Sequence, residues 1–213
     1  MQDPLDYRWA ARRLLLALNA WIADGVEPPP SAYPQISNDT LVSPDKLMFP
    51  RIPNLKAPGD TNIHKAYRVD YGKDFLSRGI IAQEPPKVAS SFPMLVPQVD
   101  SDGNDLPGIR MPEIEVPLAT YLGWNFFSDR SGPPTELVAL TGSFVPFART
   151  KAERELANDP RPSIEERYRS REVYLDLIRK AAANLVEKNY LIETDIPRIV
   201  QQAGARWDWV NSR

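Results

Sequence analysis

Proline placement constrains the fold of this chain more than any other feature of its sequence. The 213 residues include 22 prolines, about twice the usual share, and 18 of them lie between Pro28 and Pro146. Because proline has no backbone N–H group, it interrupts the interior of a helix and the ladder of a central strand. The middle of the chain is therefore expected to form short strands and extended surface loops.

The first 27 residues are expected to form one amphipathic helix. Asp3 is a suitable N-cap, Pro4 fits the first helical position, and Gly25 is a typical stop before Pro28. The residues between these signals repeat with a period near 3.6, which predicts one broad apolar face. This face comprises Trp9, Ala10, Arg13, Leu14, Ala17, Leu18, Trp21 and Ile22.

Three or four further helices are expected in the tail. The segments 150–153 and 163–166 both have the capping-box pattern, in which a Thr or Ser is followed three residues later by Glu. Ser170 is expected to begin a longer helix that ends near Asn189.

The last of the tail helices is expected to be short. It would begin at Thr194 or Asp195 and end at Gly204, which is a typical C-terminal stop. Trp207 and Trp209 would then pack back on the body of the molecule.

The proline-rich middle contains several short runs that are typical of strands. Residues 66–71 alternate between apolar and polar side chains, which predicts a half-buried strand. The strand candidates are Thr40–Val42, Leu47–Phe49, Ala66–Tyr71, Met94–Val99 and Ile114–Tyr121.

Together these signals predict an α+β fold with a long N-terminal amphipathic helix, a proline-rich middle with short antiparallel strands, and a helical C-terminal tail. We divide the chain into the helix at 1–27, the strand and loop region at 28–147, and the tail at 148–213. The three parts are expected to form one compact unit.

Composition excludes several classes of function. The 26 Lys and Arg residues are balanced by 28 Asp and Glu residues, so a basic face for nucleic acid is not expected. No window approaches the roughly 18–20 apolar residues that cross a bilayer, and early charges interrupt any signal peptide, so we expect a soluble chain. The absence of cysteine excludes disulfides, thiolate zinc sites and cysteine nucleophiles.

The sequence contains no recognisable nucleophile elbow. The nearest approach to Gly-x-Ser-x-Gly is 141–145, where Gly142 directly precedes Ser143 and Val145 stands in place of a glycine. His64 is the only histidine, and it lies in a polar loop. Nothing in the sequence indicates an acidic residue that would pair with it. We therefore assign no catalytic residue.

Two acidic segments have an ordinary structural interpretation beside a functional one. Residues 100–105 could hold a structural cation, but they do not fit a calcium loop, and a plain turn between 95–99 and 109–111 is favoured. Glu113 and Glu115 could act as paired carboxylates, but on an alternating strand they would form its solvated side. No cofactor-binding or metal-binding residue is assigned.

Several long motifs are similar to those of one family. In the same order and across nearly the whole chain, they resemble the C-terminal part of the bacterial "alpha/beta hydrolase domain-containing protein" family. The motifs are DPLDYR (3–8), AWIADG (20–25), PPPSAYP (28–34), VPQVDSDGNDLPGIR (96–110), VPLATYLGWN (116–125), GSFVPFART (142–150) and DPRPSIEERY (159–168).

The resemblance implies that the first helix corresponds to the last helix of an α/β-hydrolase core. In that fold the triad runs Ser, then Asp or Glu, then His, and the histidine loop precedes the last core helix. The triad and most of the parallel sheet would then precede residue 1, and no triad residue is carried over. The chain would be a C-terminal fragment, a separate or cleaved subunit, or a relative that keeps only the accessory part.

Two interpretations from different classes of function follow. In the first, the chain is an accessory region that shapes the substrate mouth of a serine-hydrolase-like enzyme, and its partner is a hydrolase core segment or a second copy of itself. In the second, it is a stand-alone, non-enzymatic binding or structural module. In both, the chain alone is expected to be inactive. Docking on a core predicts that Trp9, Leu14, Leu18 and Trp21 are partly exposed in the isolated chain, or buried by another copy.

Overall fold

The computed structural model of the protein describes residues 4–58 and 65–212. Within these residues, seven α-helices and six short strands are separated by irregular segments. The helices are α1 (Arg8–Asp24), α2 (Phe75–Arg78), α3 (Pro112–Glu115), α4 (Lys151–Ala157), α5 (Ile164–Arg167), α6 (Arg171–Glu187) and α7 (Ile196–Asn211).

The strands are β1 (Leu41–Val42), β2 (Tyr67–Asp70), β3 (Lys87–Ser91), β4 (Val96–Pro97), β5 (Ala119–Leu122) and β6 (Ser143–Pro146). They form three antiparallel pairs, in which β1 pairs with β4, β2 with β3, and β5 with β6. The predicted α+β class with short antiparallel strands is therefore confirmed.

The main core lies between the β5–β6 pair and the two long helices of the tail. Leu118, Ile178 and Ile199 are fully buried there, and Trp9 of α1 belongs to the same cluster. Burying a side chain of this kind stabilises the fold by about 1.5–3 kcal/mol. The start of α1 and the tail thus share one core.

The first helix is shorter at its beginning than predicted. It begins at Arg8, and Pro4 lies before it rather than at its first position. The N-cap is Tyr7, which has no side-chain cap, and the carboxylate of Asp6 accepts a hydrogen bond from the backbone N–H of Arg8 at 3.1 Å. Asp3, the predicted N-cap, lies outside the described residues. The predicted stop is confirmed, because Gly25 adopts a φ of 70°.

The predicted caps of the tail are confirmed, but the full capping box forms only at Ser163, since the carboxylate of Glu153 accepts from the N–H of Arg149 rather than from that of Thr150. Thr150, Ser163 and Ser170 each accept a hydrogen bond from the backbone N–H three residues later, at 3.2–3.3 Å. These caps begin α4, α5 and α6 at the predicted residues, and Asn189 follows the end of α6 with a φ of 62°. The three hydroxyl groups satisfy backbone donors that the first turn of a helix leaves without partners.

The last helix is longer than predicted. α7 continues through Gly204 to Asn211, so the predicted stop at this glycine is wrong. Gly204 is buried, and a Cβ atom at this position would lie 2.8 Å from Nη2 of Arg171. The glycine is therefore explained by a close approach of α7 to the first turn of α6.

Both tryptophans near the end of α7 pack back on the body of the molecule, as predicted. Trp207 stacks on Tyr174 with ring centroids 5.1 Å apart. Trp209 meets Phe144 edge to face at 6.0 Å. These contacts hold the last turns of α7 against α6 and β6.

One predicted strand of the middle is absent because a side chain occupies the place of its partner. At residues 47–49, the buried amide of Gln98 accepts a hydrogen bond from the N–H of Met48 at 3.0 Å and donates one to the carbonyl of Lys46 at 3.1 Å. These bonds satisfy the local backbone without a strand ladder.

The β2–β3 pair forms an exposed hairpin. β2 confirms the strand predicted at 66–71, but all four of its residues are exposed, so the predicted half-burial is wrong. Its partner β3 is not among the predicted strands and is also exposed along its whole length.

Among the described residues, no helix has both the length and the apolar character that crossing a membrane requires.

Candidate functional site

Ser143 lies within a strand and not at a strand-to-helix turn. It begins β6, opposite Leu122 of β5, and its side chain is mostly buried. Its hydroxyl group donates a hydrogen bond to the carbonyl of Trp124. The serine is thus held in a sheet pair with its proton already engaged. His64, the other candidate for acid–base chemistry, lies outside the described residues.

Residues 100–105 form a tight turn. Asp100 Oδ1 accepts hydrogen bonds from the backbone N–H groups of Asp102 and Asn104, both at 3.0 Å. Gly103 has a φ of 80°, and a Cβ there would lie 3.1 Å from Phe49 and Thr120, so glycine is required.

The turn is shorter than predicted. Asp105 pairs with Val99, so the returning chain meets its partner before the predicted segment 109–111. Asp100 Oδ2 pairs with Arg110 at 2.9 Å. No group of three or more acidic or histidine side chains within residues 4–58 and 65–212 could hold a metal ion.

The predicted placement of Glu113 and Glu115 on one face of a strand is wrong. Residues 112–115 form α3, in which Pro112 occupies a favourable first position, and side chains two residues apart on a helix diverge. Glu113 is 3% exposed, and burial raises the pKa of its carboxyl group. Glu115 is exposed and pairs with Arg110 at 3.1 Å. The two carboxylates therefore do not form a catalytic pair.

A buried arginine that no sequence motif indicates as functional lies at the centre of a polar network. Arg161 is 2% exposed and binds Asp159 through two hydrogen bonds of 2.9 and 2.6 Å. It also donates to the hydroxyl of Thr120 at 2.8 Å and to the carbonyl of Val145 at 3.0 Å. Burial alone would raise the pKa of Asp159, but the bonds from Arg161 outweigh it and lower that pKa.

The same network reaches the turn at 100–105. The hydroxyl of Thr120 donates to the carbonyl of Asp102, and the carboxylate of Asp102 pairs with Arg167. The Arg167 guanidinium lies over the ring of Phe147, 4.2 Å from its centroid. Because these groups are paired with one another, the network is suited to fixing loop positions rather than to reacting with a substrate.

A cavity of about 670 Å³ lies between the segment that precedes α1 and the last turns of α7. Arg206 lines it, and the ring of Phe144 lies 5.7 Å from the guanidinium carbon. Arg206 Nε is buried without a hydrogen-bond partner among the described residues. Arg206 lies beyond the predicted helix end at Gly204, so the sequence predicts no helical position for it.

The outer face of α1 carries large apolar side chains in contact with solvent. Leu18 is 46%, Trp21 52% and Ile22 78% exposed, and Leu14 is exposed beside them. The inner face is anchored by the buried side chains of Trp9 and Ala17. Exposure is thus confirmed for three of the four predicted residues, whereas Trp9 is buried.

Polar bonds fix α1 with this apolar face outward. Arg12 pairs with the buried Asp195 at 2.8 Å, and Arg13 donates to the side chain of Asn189 at 2.8 Å. Clusters of large exposed apolar side chains are uncommon on monomers and mark interaction surfaces. We call Leu14, Leu18, Trp21 and Ile22 the α1 outer face.

Comparison with known proteins identifies one family. A family model described as "Alpha/beta hydrolase domain" matches residues 2–201. No curated protein and no solved structure matches this chain.

Proposed function

The chain belongs to the alpha/beta hydrolase domain family, and we propose that it is the accessory region of a serine-hydrolase-like enzyme that cleaves esters or amides. In this proposal it shapes the mouth of the substrate site. Another polypeptide segment, which carries the α/β-hydrolase core, supplies the nucleophile, the acid and the histidine.

The α1 outer face carries the proposal. Its four members follow the spacing i, i+4, i+7 and i+8, which places them on one side of the helix. A helix that packs on a hydrolase sheet needs such a face, and here it is turned away from the chain's own core. Burying it on a core would remove several large apolar side chains from water, which favours association.

The environment of Ser143 supports a nucleophile that lies on the core segment rather than on this chain. Nucleophilic catalysis needs a serine within reach of an oriented base and near oxyanion donors. Ser143 is instead mostly buried in β6 with its hydroxyl bonded to a backbone carbonyl. We therefore place the nucleophile of the enzyme on the core segment.

Genomic context gives the first test. We expect a neighbouring reading frame, or an in-frame extension, that encodes Gly-x-Ser-x-Gly within an α/β-hydrolase core. A clear absence of such a segment would contradict the accessory role and favour a stand-alone module.

Binding to that segment gives the second test. The full chain is titrated with the purified core segment, and Leu18→Glu and Trp21→Glu are each expected to weaken binding at least tenfold, because they place a charge in the buried contact. Leu156→Glu is the matched control, since Leu156 is also an exposed leucine but lies on α4.

Two results of this titration would overturn the proposal. The first is a core segment that binds all three variants equally well or does not bind the chain. The second is a dimer of this chain that Leu18→Glu dissociates into monomers, which would assign the α1 outer face to a second copy.

A further inference from the structure

We infer that the cavity between the segment preceding α1 and the end of α7 binds a small organic monocarboxylate with an apolar body. This inference goes beyond the proposed accessory role and does not depend on a hydrolase core. The cavity volume of about 670 Å³ lies in the range of sites that hold small molecules.

The charge in the cavity favours an anionic ligand. Asp6 and Arg8 neutralise each other through two hydrogen bonds of 2.7 Å. Arg206 forms no ion pair with any carboxylate of the described residues within 4.0 Å. The lining therefore keeps one positive charge that a ligand could neutralise.

The hydrogen bonds of Arg206 are incomplete. Its Nη2 donates to the carbonyl of Pro4 at the long distance of 3.5 Å, and its buried Nε has no partner among the described residues. A buried donor without a partner costs about 1–3 kcal/mol. The two oxygens of a carboxylate can accept hydrogen bonds from two N–H groups of a planar guanidinium at once. A carboxylate is therefore the favoured anion.

Glu113 does not supply this carboxylate from inside the protein. The charge of Arg206 acts to lower the pKa of Glu113, but the two groups do not form an ion pair. Burial is the largest influence on Glu113 and raises its pKa, which opposes the charged form that would neutralise Arg206.

The remaining walls favour an apolar ligand body. Leu5, Phe144 and Trp209 line the cavity together with Arg206. An aromatic or short aliphatic body could lie against these side chains while its carboxylate meets the guanidinium. Aromatic walls with one convergent charged group are typical of small-molecule sites.

The test uses phenylacetate as the probe and its neutral analogue phenylacetamide as the control. Binding to the full chain is measured by titration calorimetry and by the change in tryptophan fluorescence, because Trp209 lines the cavity. We expect phenylacetate to bind at least tenfold more tightly than phenylacetamide.

Variants locate the binding site. Arg206→Gln is expected to weaken phenylacetate binding at least tenfold, and Arg198→Gln, at an exposed arginine of the same helix, is expected to leave it unchanged. Ala205→Phe provides an independent check that leaves Arg206 unchanged, since Ala205 is exposed and lines the cavity. It should block binding by filling the space.

The inference is overturned if phenylacetate does not bind, if the amide binds equally well, or if Ala205→Phe leaves binding intact. Should Arg206→Gln fail to fold, the pair of Ala205→Phe and Arg198→Gln decides the outcome. If Ala205→Phe abolishes phenylacetate binding and Arg198→Gln does not, the result supports binding in the cavity.

Discussion

Arg161 connects three of the motifs by which the chain resembles its family. It lies in the motif 159–168, and its bonds reach Thr120 in the motif 116–125 and Val145 in the motif 142–150. A charged side chain that is almost completely buried requires full pairing, and Arg161 has it. The motif residues in this network are thus explained by packing and hydrogen bonding.

Removing this arginine should strongly destabilise the protein. Arg161→Ala would leave the buried carboxylate of Asp159 without its partner, and breaking a buried pair in this way costs about 3–5 kcal/mol. The free energy of unfolding is measured by urea denaturation at pH 7. Arg179→Ala removes the exposed pair with Asp176 and should cost less than about 1 kcal/mol. Equal effects of the two variants would contradict the structural role of Arg161.

At the scale of single elements, the capping box of α5 gives a prediction that depends on pH. The N–H of Ser163 donates to Glu166 Oε2 at 2.8 Å, and the Ser163 hydroxyl donates to the same oxygen at 2.8 Å. These bonds lower the pKa of Glu166 to about 2. Ser163→Ala removes the hydroxyl, so this pKa should rise toward 4.5, although the backbone bond remains.

The sign of the stability effect follows from the lowered pKa. The stabilisation by ionised Glu166 is fully present above about pH 4.5 and is lost as the pH falls through about 2. The loss of the Ser163 hydroxyl should cost about 1 kcal/mol at pH 7, and the difference from the unmodified chain should shrink below pH 4.5. Carboxyl NMR titration and urea denaturation measure both effects, with Ser212→Ala as the exposed control. A Glu166 pKa that does not move would contradict this assignment.

The helices could be predicted from the sequence where local signals decide the structure. Thr150, Ser163 and Ser170 begin helices because each hydroxyl caps its own first turn, and Gly25 ends α1 because it adopts a positive φ. Gly204 carries the same local signal as Gly25, but its role is set by the close approach of Arg171. A long-range contact of this kind leaves no local pattern in the sequence.

The strands and the cavity depended on such long-range contacts. The segment at 47–49 forms no strand because the side chain of Gln98, about fifty residues away in the sequence, bonds to its backbone. Residues 113–116 alternate as a strand would, but Pro112 occupies the first position of the short helix α3. The cavity brings residues near position 5 to residues near position 206, and periodicity cannot reveal that pairing.

Across the whole molecule, the two apolar faces of α1 lie in different surroundings. Small and buried residues such as Ala17 face the chain's own core, whereas the α1 outer face is in contact with solvent. This arrangement fits a helix that joins the tail to a second body. It is the feature that most clearly separates an accessory region from a self-sufficient module.

In the proposed function, this chain contributes to a hydrolase whose nucleophile lies on another segment. The most direct measurement combines p-nitrophenyl ester turnover with fluorophosphonate labelling of the purified chain, beside its Ser143→Ala and His64→Ala variants. We predict turnover no faster than the uncatalysed reaction and no label on any serine, because Ser143 is engaged within β6. Turnover that disappears in either variant, with the label on Ser143, would contradict the account.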